Sequence, residues 1–443
     1  MEIIRSDRLV LKANSVIQRE ALSHTLSVYR RLVRDLMSLA FVKWPTLGAL
    51  NGNEVVQVIE GLIHPTSKRP DVRYRYFSRR YYKFPSYLRR VAIMDAVGQV
   101  RSFQTRYSDW QDNARGRQPP RLTCSTNTFP SLYKGQCVKF TDDMRSCFIK
   151  VFYQNDWLWM TFKLTGGTRY RGLGKSLSPL LVQKGKRWSL SIPEKFVPTR
   201  KVSKQPPNRV LAVDVGINTA ATWAVVDAQG TVHERGFLRR SDKDREHHLM
   251  QRIRTKARKH TRHGSRLPEG FCSQDHRRLK QLADNEAHQI SRKLVGLAIK
   301  FDCQAIVVEQ LKGWRPKAGR KRSPMKAKFH RWFHRMLVNR VESKAKEQGL
   351  RFLAVYPRGT SSQAFDGSGL VRRDSKNYSL CTFASGKRYH ADLNAAYNIA
   401  ARGLVYFQGG KRKPAARADQ PTSDRTPGNP VTLSTLWAIP KAA

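Results

Sequence analysis

The chain has 443 residues, 40% of them hydrophobic, which is length for roughly two to four domains with sizeable cores. Lys and Arg number 83 against 33 Asp and Glu, a formal net charge of +50 at pH 7. No small acidic substrate needs that much charge, whereas a long polyanion does, because each neutralised phosphate releases counterions.

The cations run through the whole length, which favours nucleic acid over a solvated basic surface or an anionic membrane. The six cysteines, Cys124, Cys137, Cys147, Cys272, Cys303 and Cys381, contain no C-x-x-C pair and suggest neither a disulfide framework nor a zinc knuckle. Residues 1–10 lack an apolar signal core, and no apolar run approaches a membrane span, so a soluble intracellular protein without membrane contact is expected.

In chain order, residues 7–12 alternate like a short strand, and from Val16 to Trp44 the pattern turns helical, with Leu22, Leu26, Tyr29, Leu36 and Leu39 near one face. Pro45 and the glycines of 48–52 end it. Residues 73–84 interleave aromatics with cations, a surface able to stack bases and hold phosphates. The same segment also reads as an amphipathic helix with tyrosines inside, and both readings can hold. Arg73, Arg75, Tyr76, Arg79 and Arg80 are its candidate nucleic-acid contacts. A second long helix follows from Ser86 to about Gln111, so residues 14–129 form a basic helical module.

After a Pro- and Arg-bearing connector the period shortens. Residues 136–140, 146–153, 157–164, 180–184 and 188–192 read as short strands of a small β-barrel. If the strand at 7–12 joins it, residues 1–13 and 130–205 are the barrel and the helices are an insertion. Pro206 and Pro207 mark a boundary. Val210–Val226 then reads as a hairpin bent at Gly216, with Asp214 between Val213 and Val215; a third strand covers 231–238. Two basic helices, 242–260 and 274–300, come next. His247, His248, His260 and His263 sit there among Lys and Arg, which disfavours a cationic metal. Within residues 303–311 a continuous apolar run suits a strand buried on both faces, and Glu309 stands at the end of that run. A very basic loop, 312–328, contributes Arg320, Lys321 and Arg322 as further candidate nucleic-acid contacts. A helix with Phe329, Phe333, Leu337 and Val341 at four-residue spacing, a strand at 352–356, a loop-rich stretch at 359–388 and a helix beginning near Asp392 complete the domain. The tail, 406–443, reads as disordered.

An ionised carboxylate in an apolar strand is costly unless paired. Asp214, Glu309 and Asp392 are three acids in or beside apolar elements of an acid-poor chain. They are either unrelated (a turn aspartate, a strand-end glutamate and a helix cap) or, if the strands are neighbours, a convergent set. A convergent set can hold two Mg²⁺ ions about 3.5–4 Å apart, the arrangement used to hydrolyse phosphodiesters.

The order of Asp214-Val-Gly-Ile-Asn218, Val308-Glu-Gln-Leu311 and Asp392-Leu-Asn-Ala-Ala396 with Asn398-Ile399 resembles the RuvC-type, RNase H-like nuclease domain of TnpB proteins and compact type V CRISPR effectors. The resemblance is strongest over 208–402. It implies an α/β plus β-barrel multidomain chain: a RuvC nuclease domain over 206–405, and an N-terminal wedge-like β-barrel carrying a helical recognition insertion. It further implies an RNA-guided endonuclease that cuts double-stranded DNA beside a short adjacent motif, with a guide RNA and target DNA as partners, in the prokaryotic cytoplasm with the nucleoid. Asp214, Glu309 and Asp392 would be its catalytic metal ligands. The family's zinc ribbon departs here. Aligned on it, residues 357–390 put Phe365, Ser368, Thr382 and Ser385 at the cysteine positions, so no zinc is expected. The runner-up readings are an RNA-guided DNA-binding repressor with weak or no cleavage, and an RNase H-like transposase or recombinase acting without RNA. Oligomeric state is not legible.

Overall fold

The computed structural model describes residues 2–113, 116, 118–198, 200, 202–203, 205–216, 219–310, 334–409 and 431–438. They fall into two units, Glu2–Val197 and the remainder from Pro198 onward. None of their helices is long and apolar enough to cross a membrane.

In the first unit, strand β1 (Ile3–Lys12) leads into five helices: α1 (Val16–Val42), α2 (Trp44–Leu47), α3 (Gly52–Ile63), α4 (Arg75–Arg80) and α5 (Ser86–Asp112). Ser15 and Gln18 cap α1 reciprocally, each side chain accepting a backbone N–H of the other's residue. Strands β2 (Val138–Phe140), β3 (Ser146–Tyr153), β4 (Asp156–Thr165), β5 (Lys175–Ser176), β6 (Leu180–Lys184) and β7 (Arg187–Phe196) follow. The sheet order is β2-β3-β4-β1-β7-β5, with β6 also on β7, and every pairing is antiparallel. The strand at the N-terminus thus does pair with strands that follow the helices. Leu22, Tyr29 and Leu36 of α1, Leu88 and Ile93 of α5, and Leu9, Ile149, Phe162 and Leu190 of the sheet share one core.

The expected barrel is a half-barrel. No strand pairing among the described residues joins β2 to β5, because these edge strands have only 3 and 2 residues. Backbone bonds from 130–132 to the β6 end, Leu132 N–H to the Pro179 carbonyl at 2.7 Å and Leu181 N–H to the Pro130 carbonyl at 3.0 Å, cover part of the gap.

The second unit is built on five strands: β8 (Arg209–Asp214), β9 (Ala221–Asp227), β10 (Val232–Leu238), β11 (Ala305–Glu309) and β12 (Arg351–Val355), in the order β10-β9-β8-β11-β12. Only β9 runs against the others. At the turn between β8 and β9, a Cβ on Gly216 would stand 2.6 Å from the Thr219 carbonyl oxygen, so a side chain is excluded by close approach. Helices α6 (Lys243–Thr261) and α7 (Ser273–Lys300) separate β10 from β11, and α8 (His334–Glu347) precedes β12. The stretch expected to be loop carries three short antiparallel strands, β13 (Arg372–Arg373), β14 (Leu380–Thr382) and β15 (Arg388–His390), ahead of α9 (Ala391–Phe407).

Each face of the central sheet has its own core. Leu211, Val213, Ile306 and Val308 face α7 and α8, whereas Val210, Ala212, Ala305 and Val307 face α9. Helix α9 contributes Ala391, Ala396, Ala400 and Ala401 to the core on this side of the sheet, strong helix formers small enough for close packing. A Cβ on Gly403 would stand 2.5 Å from a Val307 methyl, so α9 lies hard against β11.

The disordered tail expected over 406–443 needs correction. Residues 406 and 407 belong to α9, and α10 (Leu433–Trp437) buries Leu433 and Leu436 in the α9-side core, with the Trp437 indole N–H on the Gly230 carbonyl at 3.2 Å. The polar composition of the tail concealed this short apolar segment. Residues 410–430 and 439–443 lie outside the described set.

Candidate active site

Strands β8 and β11 are parallel neighbours paired from Val210↔Ala305 to Val213↔Val308. One step further stand Asp214 and Glu309, at the C-terminal ends of both strands. Alternation turns both to the α9 face, since Val210 and Ala212, and Ala305 and Val307, already point there. Asp392 occupies the first turn of α9, on the same side. The His390 imidazole caps that helix, its Nδ1 accepting the Asp392 backbone N–H at 3.2 Å. Asp214, Glu309 and Asp392 thus stand on one side of the sheet, at the ends of β8 and β11 and the start of α9.

Their electrostatics agree. Burial raises the Asp214 pKa well above the ordinary carboxylate value, and repulsion from Glu309 and then Asp392 adds to the rise, with Arg373 opposing it. Burial also raises that of Glu309, opposed by a hydrogen bond from Thr360 and by the charge of Arg402. Each acid keeps some contact with solvent. Protein nonetheless surrounds Asp214 closely enough that burial destabilises its ionised form. Such a set of hard oxygen donors with excess negative charge suits a divalent cation. The side chains stand near enough to repel one another but are not gathered into a ready-made cage. Among the described residues no three His, Cys, Asp or Glu side chains form one.

Thr360 and Arg402 escape a reading of the sequence. Thr360 lies in a loop with no periodic signal, and Arg402 is one cation among many. The signal that could expose them is Asn394 and Asn398, two amides inside an alanine-rich helix, where Asn is a poor helix former and needs another reason to be present. Both are fully buried.

At the ribbon positions, Phe365 packs edge-on against Phe383, Tyr389 and Tyr397 with ring centroids 5.4, 5.2 and 5.1 Å away. Arg235 of β10 donates to the hydroxyls of Tyr389 and Tyr397, the latter at 2.8 Å. An aromatic cluster occupies this hairpin, with Cys381 buried beside it.

In the first unit, residues 73–84 divide between core and surface, as the amphipathic reading expected. Phe77, Tyr81 and Phe84 enter the core, while Arg73, Arg75, Tyr76, Arg79 and Arg80 are exposed. Tyr76 and Tyr81 donate to Asp35, the latter at 2.6 Å, and Arg80 sits over the Tyr76 ring at 5.6 Å. Arg75 pairs with Asp71. Arg320, Lys321 and Arg322 lie outside the described residues, as do Ile217, Asn218 and Leu311 of the motifs.

Two family models match the chain: the Aq_aa04 family over residues 5–153, and the Cas12f1-like TNB domain over 334–399. The chain is 24% identical over 186 residues to the CRISPR-associated endodeoxyribonuclease Cas12f1 of Syntrophomonas palmitatica, a match covering 40% of this chain and 35% of that protein. It is 24% identical over 220 residues to the Cas12f1 of Sulfoacidibacillus thermotolerans, covering 48% and 50%. The matches thus span a third to a half of these relatives' lengths. A cryo-EM structure of a Cas12f1–sgRNA–target DNA complex aligns with 87% of this chain and 82% of its own at a TM-score of 0.53 and 15% identity, a likeness of fold. In its motifs, in the family model over the hairpin and α9, and in these curated relatives, the chain is similar to the compact type V CRISPR effectors and TnpB-like proteins, and the shared fold agrees with that similarity.

Proposed function

We propose that the protein is an RNA-guided DNA endonuclease whose single RuvC-type site cuts target double-stranded DNA beside a short adjacent motif. The observation that carries this reading is the convergence of Asp214, Glu309 and Asp392 on one sheet face at the ends of parallel strands. The strand order, with only the second strand reversed, is what an RNase H-like domain requires, and the half-barrel with its helices suits the wedge and recognition modules of the family. A guide RNA and target DNA are the partners, in keeping with the net charge of +50 and with the complex whose fold is shared.

Asp214, Glu309 and Asp392 would hold two Mg²⁺ ions. When bound, these supply an activated water and stabilisation of the leaving 3′ oxygen. Burial, with repulsion from Glu309 and Asp392, disfavours the ionised Asp214 carboxylate, a penalty that a bound cation would relieve. Thr360 fixes one oxygen of Glu309, and His390 holds the first turn of α9 that carries Asp392. The exposed cations grip backbone phosphates and leave sequence reading to base pairing.

A second reading, guided DNA binding with weak or no cleavage, draws on one observation: the three carboxylates are not preassembled. Purifying the protein from cells carrying its native flanking DNA and sequencing the copurifying RNA tests guidance. One discrete species ending in a variable segment supports it and supplies a target for Mg²⁺-dependent cleavage. Heterogeneous RNA, or none, contradicts it. A discrete guide with DNA binding but no cleavage selects the second reading.

A further inference from the structure

Asn394, Asn398 and Arg402 are spaced by four residues and share one stripe of α9. All three side chains end on the backbone of residues 356–365. The Asn394 side-chain carbonyl oxygen accepts the Phe365 N–H at 2.8 Å, and its amide donates to the Gln363 carbonyl at 2.8 Å. The Asn398 amide donates to the Gln363 and Thr360 carbonyls at 2.8 and 3.0 Å. Arg402 Nη1 donates to the Tyr356 and Arg358 carbonyls at 2.7 and 2.9 Å. The loop is thus fastened to the helix turn by turn, running against it.

At the middle of this fastened segment is Thr360, 1% exposed, whose hydroxyl donates to Glu309 Oε1; the Pro357 carbonyl oxygen lies 2.8 Å from the same hydroxyl. Glu309 ends its strand, so the sheet fixes its backbone and leaves the carboxylate to rotate. A donor on Oε1 removes that freedom and presents Oε2. The loop's own irregular backbone cannot hold a hydroxyl this steadily; the stripe on a rigid helix can. The Asn398 side-chain carbonyl oxygen is buried without a hydrogen-bond partner, a cost accepted at this spot while the amide secures two carbonyls.

We propose that Thr360 is a positioning residue for Glu309, and that the Asn394–Asn398–Arg402 stripe of α9 holds Thr360 in place. The inference rests on the reading of Glu309 as a cation ligand. It adds that part of the site's affinity for a divalent ion is built into a loop with no acid of its own.

The test compares Thr360→Val, Thr360→Ser and Thr360→Ala in the full-length protein, with Asp214→Ala and Glu309→Ala as references. Two readouts are taken: Mn²⁺ affinity of the protein by calorimetric titration, and the Mg²⁺ concentration for half-maximal cleavage by the guide-loaded enzyme. Loss of an orienting partner costs roughly 10–100-fold in metal affinity or activity. Thr360→Val and Thr360→Ala should weaken Mn²⁺ binding about 10-fold or more and raise the Mg²⁺ requirement in proportion, and Thr360→Ser should restore both. Thr360→Ala covers the case in which the valine methyl disturbs packing. Wild-type metal affinity and Mg²⁺ requirement in both variants, with Asp214→Ala and Glu309→Ala inactive, overturns the positioning role alone. Cleavage persisting in Asp214→Ala and Glu309→Ala overturns the active-site assignment beneath it.

Discussion

Asp214 and Glu309 stand one register step past the Val213↔Val308 pair, on the α9 face of two parallel strands, and they repel each other. That relationship makes the site a source of instability whenever no cation occupies it.

The first expectation follows from its sign. A carboxylate whose folded-state pKa lies above the unfolded value, about 4 for Asp, loses its proton first in the unfolded chain. Stability therefore falls as pH rises from about 4 through the raised folded-state value. Asp214→Asn should raise the unfolding temperature of the second unit at neutral pH without divalent ions, and the advantage should shrink as pH approaches 4. Calorimetry across that range checks it. A variant no more stable than wild type at neutral pH contradicts the argument.

A second expectation concerns how α6 is held. Arg240 bridges Glu246 of α6 at 2.6 Å and Glu286 of α7 at 2.7 Å, and Glu286 is 1% exposed. Removing one partner of a buried pair leaves an uncompensated charge, at about 3–5 kcal/mol. Arg240→Ala should cost that much in denaturant unfolding, and the double variant Arg240→Met/Glu286→Leu should recover most of it.

The hairpin at 372–390 should need no zinc. Elemental analysis should find well under one zinc per chain, and a zinc-selective chelator should leave unfolding unchanged. The aromatic cluster should carry the stability instead: Phe365→Ala should cost about 3–5 kcal/mol. Stoichiometric zinc would overturn this account of the hairpin.

Helix α6 buries only Ile253, and Arg254, Arg258 and Lys259 are exposed, whereas Arg252 and Lys256 engage Asp275. Reversing Arg254, Arg258 and Lys259 to Glu should weaken nucleic-acid binding and flatten its salt dependence, by roughly 0.9 in log–log slope for each duplex phosphate that is no longer neutralised. An unchanged slope would remove α6 from the binding surface.

The sequence made the acids legible because each interrupts an apolar period. Asp214 breaks the run around Val213 and Val215, and Glu309 ends the one starting at Cys303. Strands β3 and β6 are also where alternation puts them, at Ser146–Tyr153 and Leu180–Lys184. Period gives no access to what depends on distant partners. Helix α3 is hidden because Gly48 and Gly52 read as breakers, although Asn51 and Glu54 form a capping box that starts it. Strands β13–β15 are two or three residues long, too short for any alternation to register. The segment around Thr360 is bonded by side chains 34 to 42 positions after Thr360, and its hydroxyl meets Glu309 51 positions before it, partners that no local pattern reveals.

The central claim is that Asp214, Glu309 and Asp392 cut DNA while the basic surface binds it. The most direct measurement is guide-loaded wild type against Asp214→Ala on one matched target duplex, with binding and Mg²⁺-dependent cleavage read in parallel. The account predicts cleavage abolished, since a ligand is removed, and affinity within a few-fold of wild type, since Lys and Arg supply it. Cleavage that survives in Asp214→Ala, or binding that falls as far as cleavage does, would contradict it.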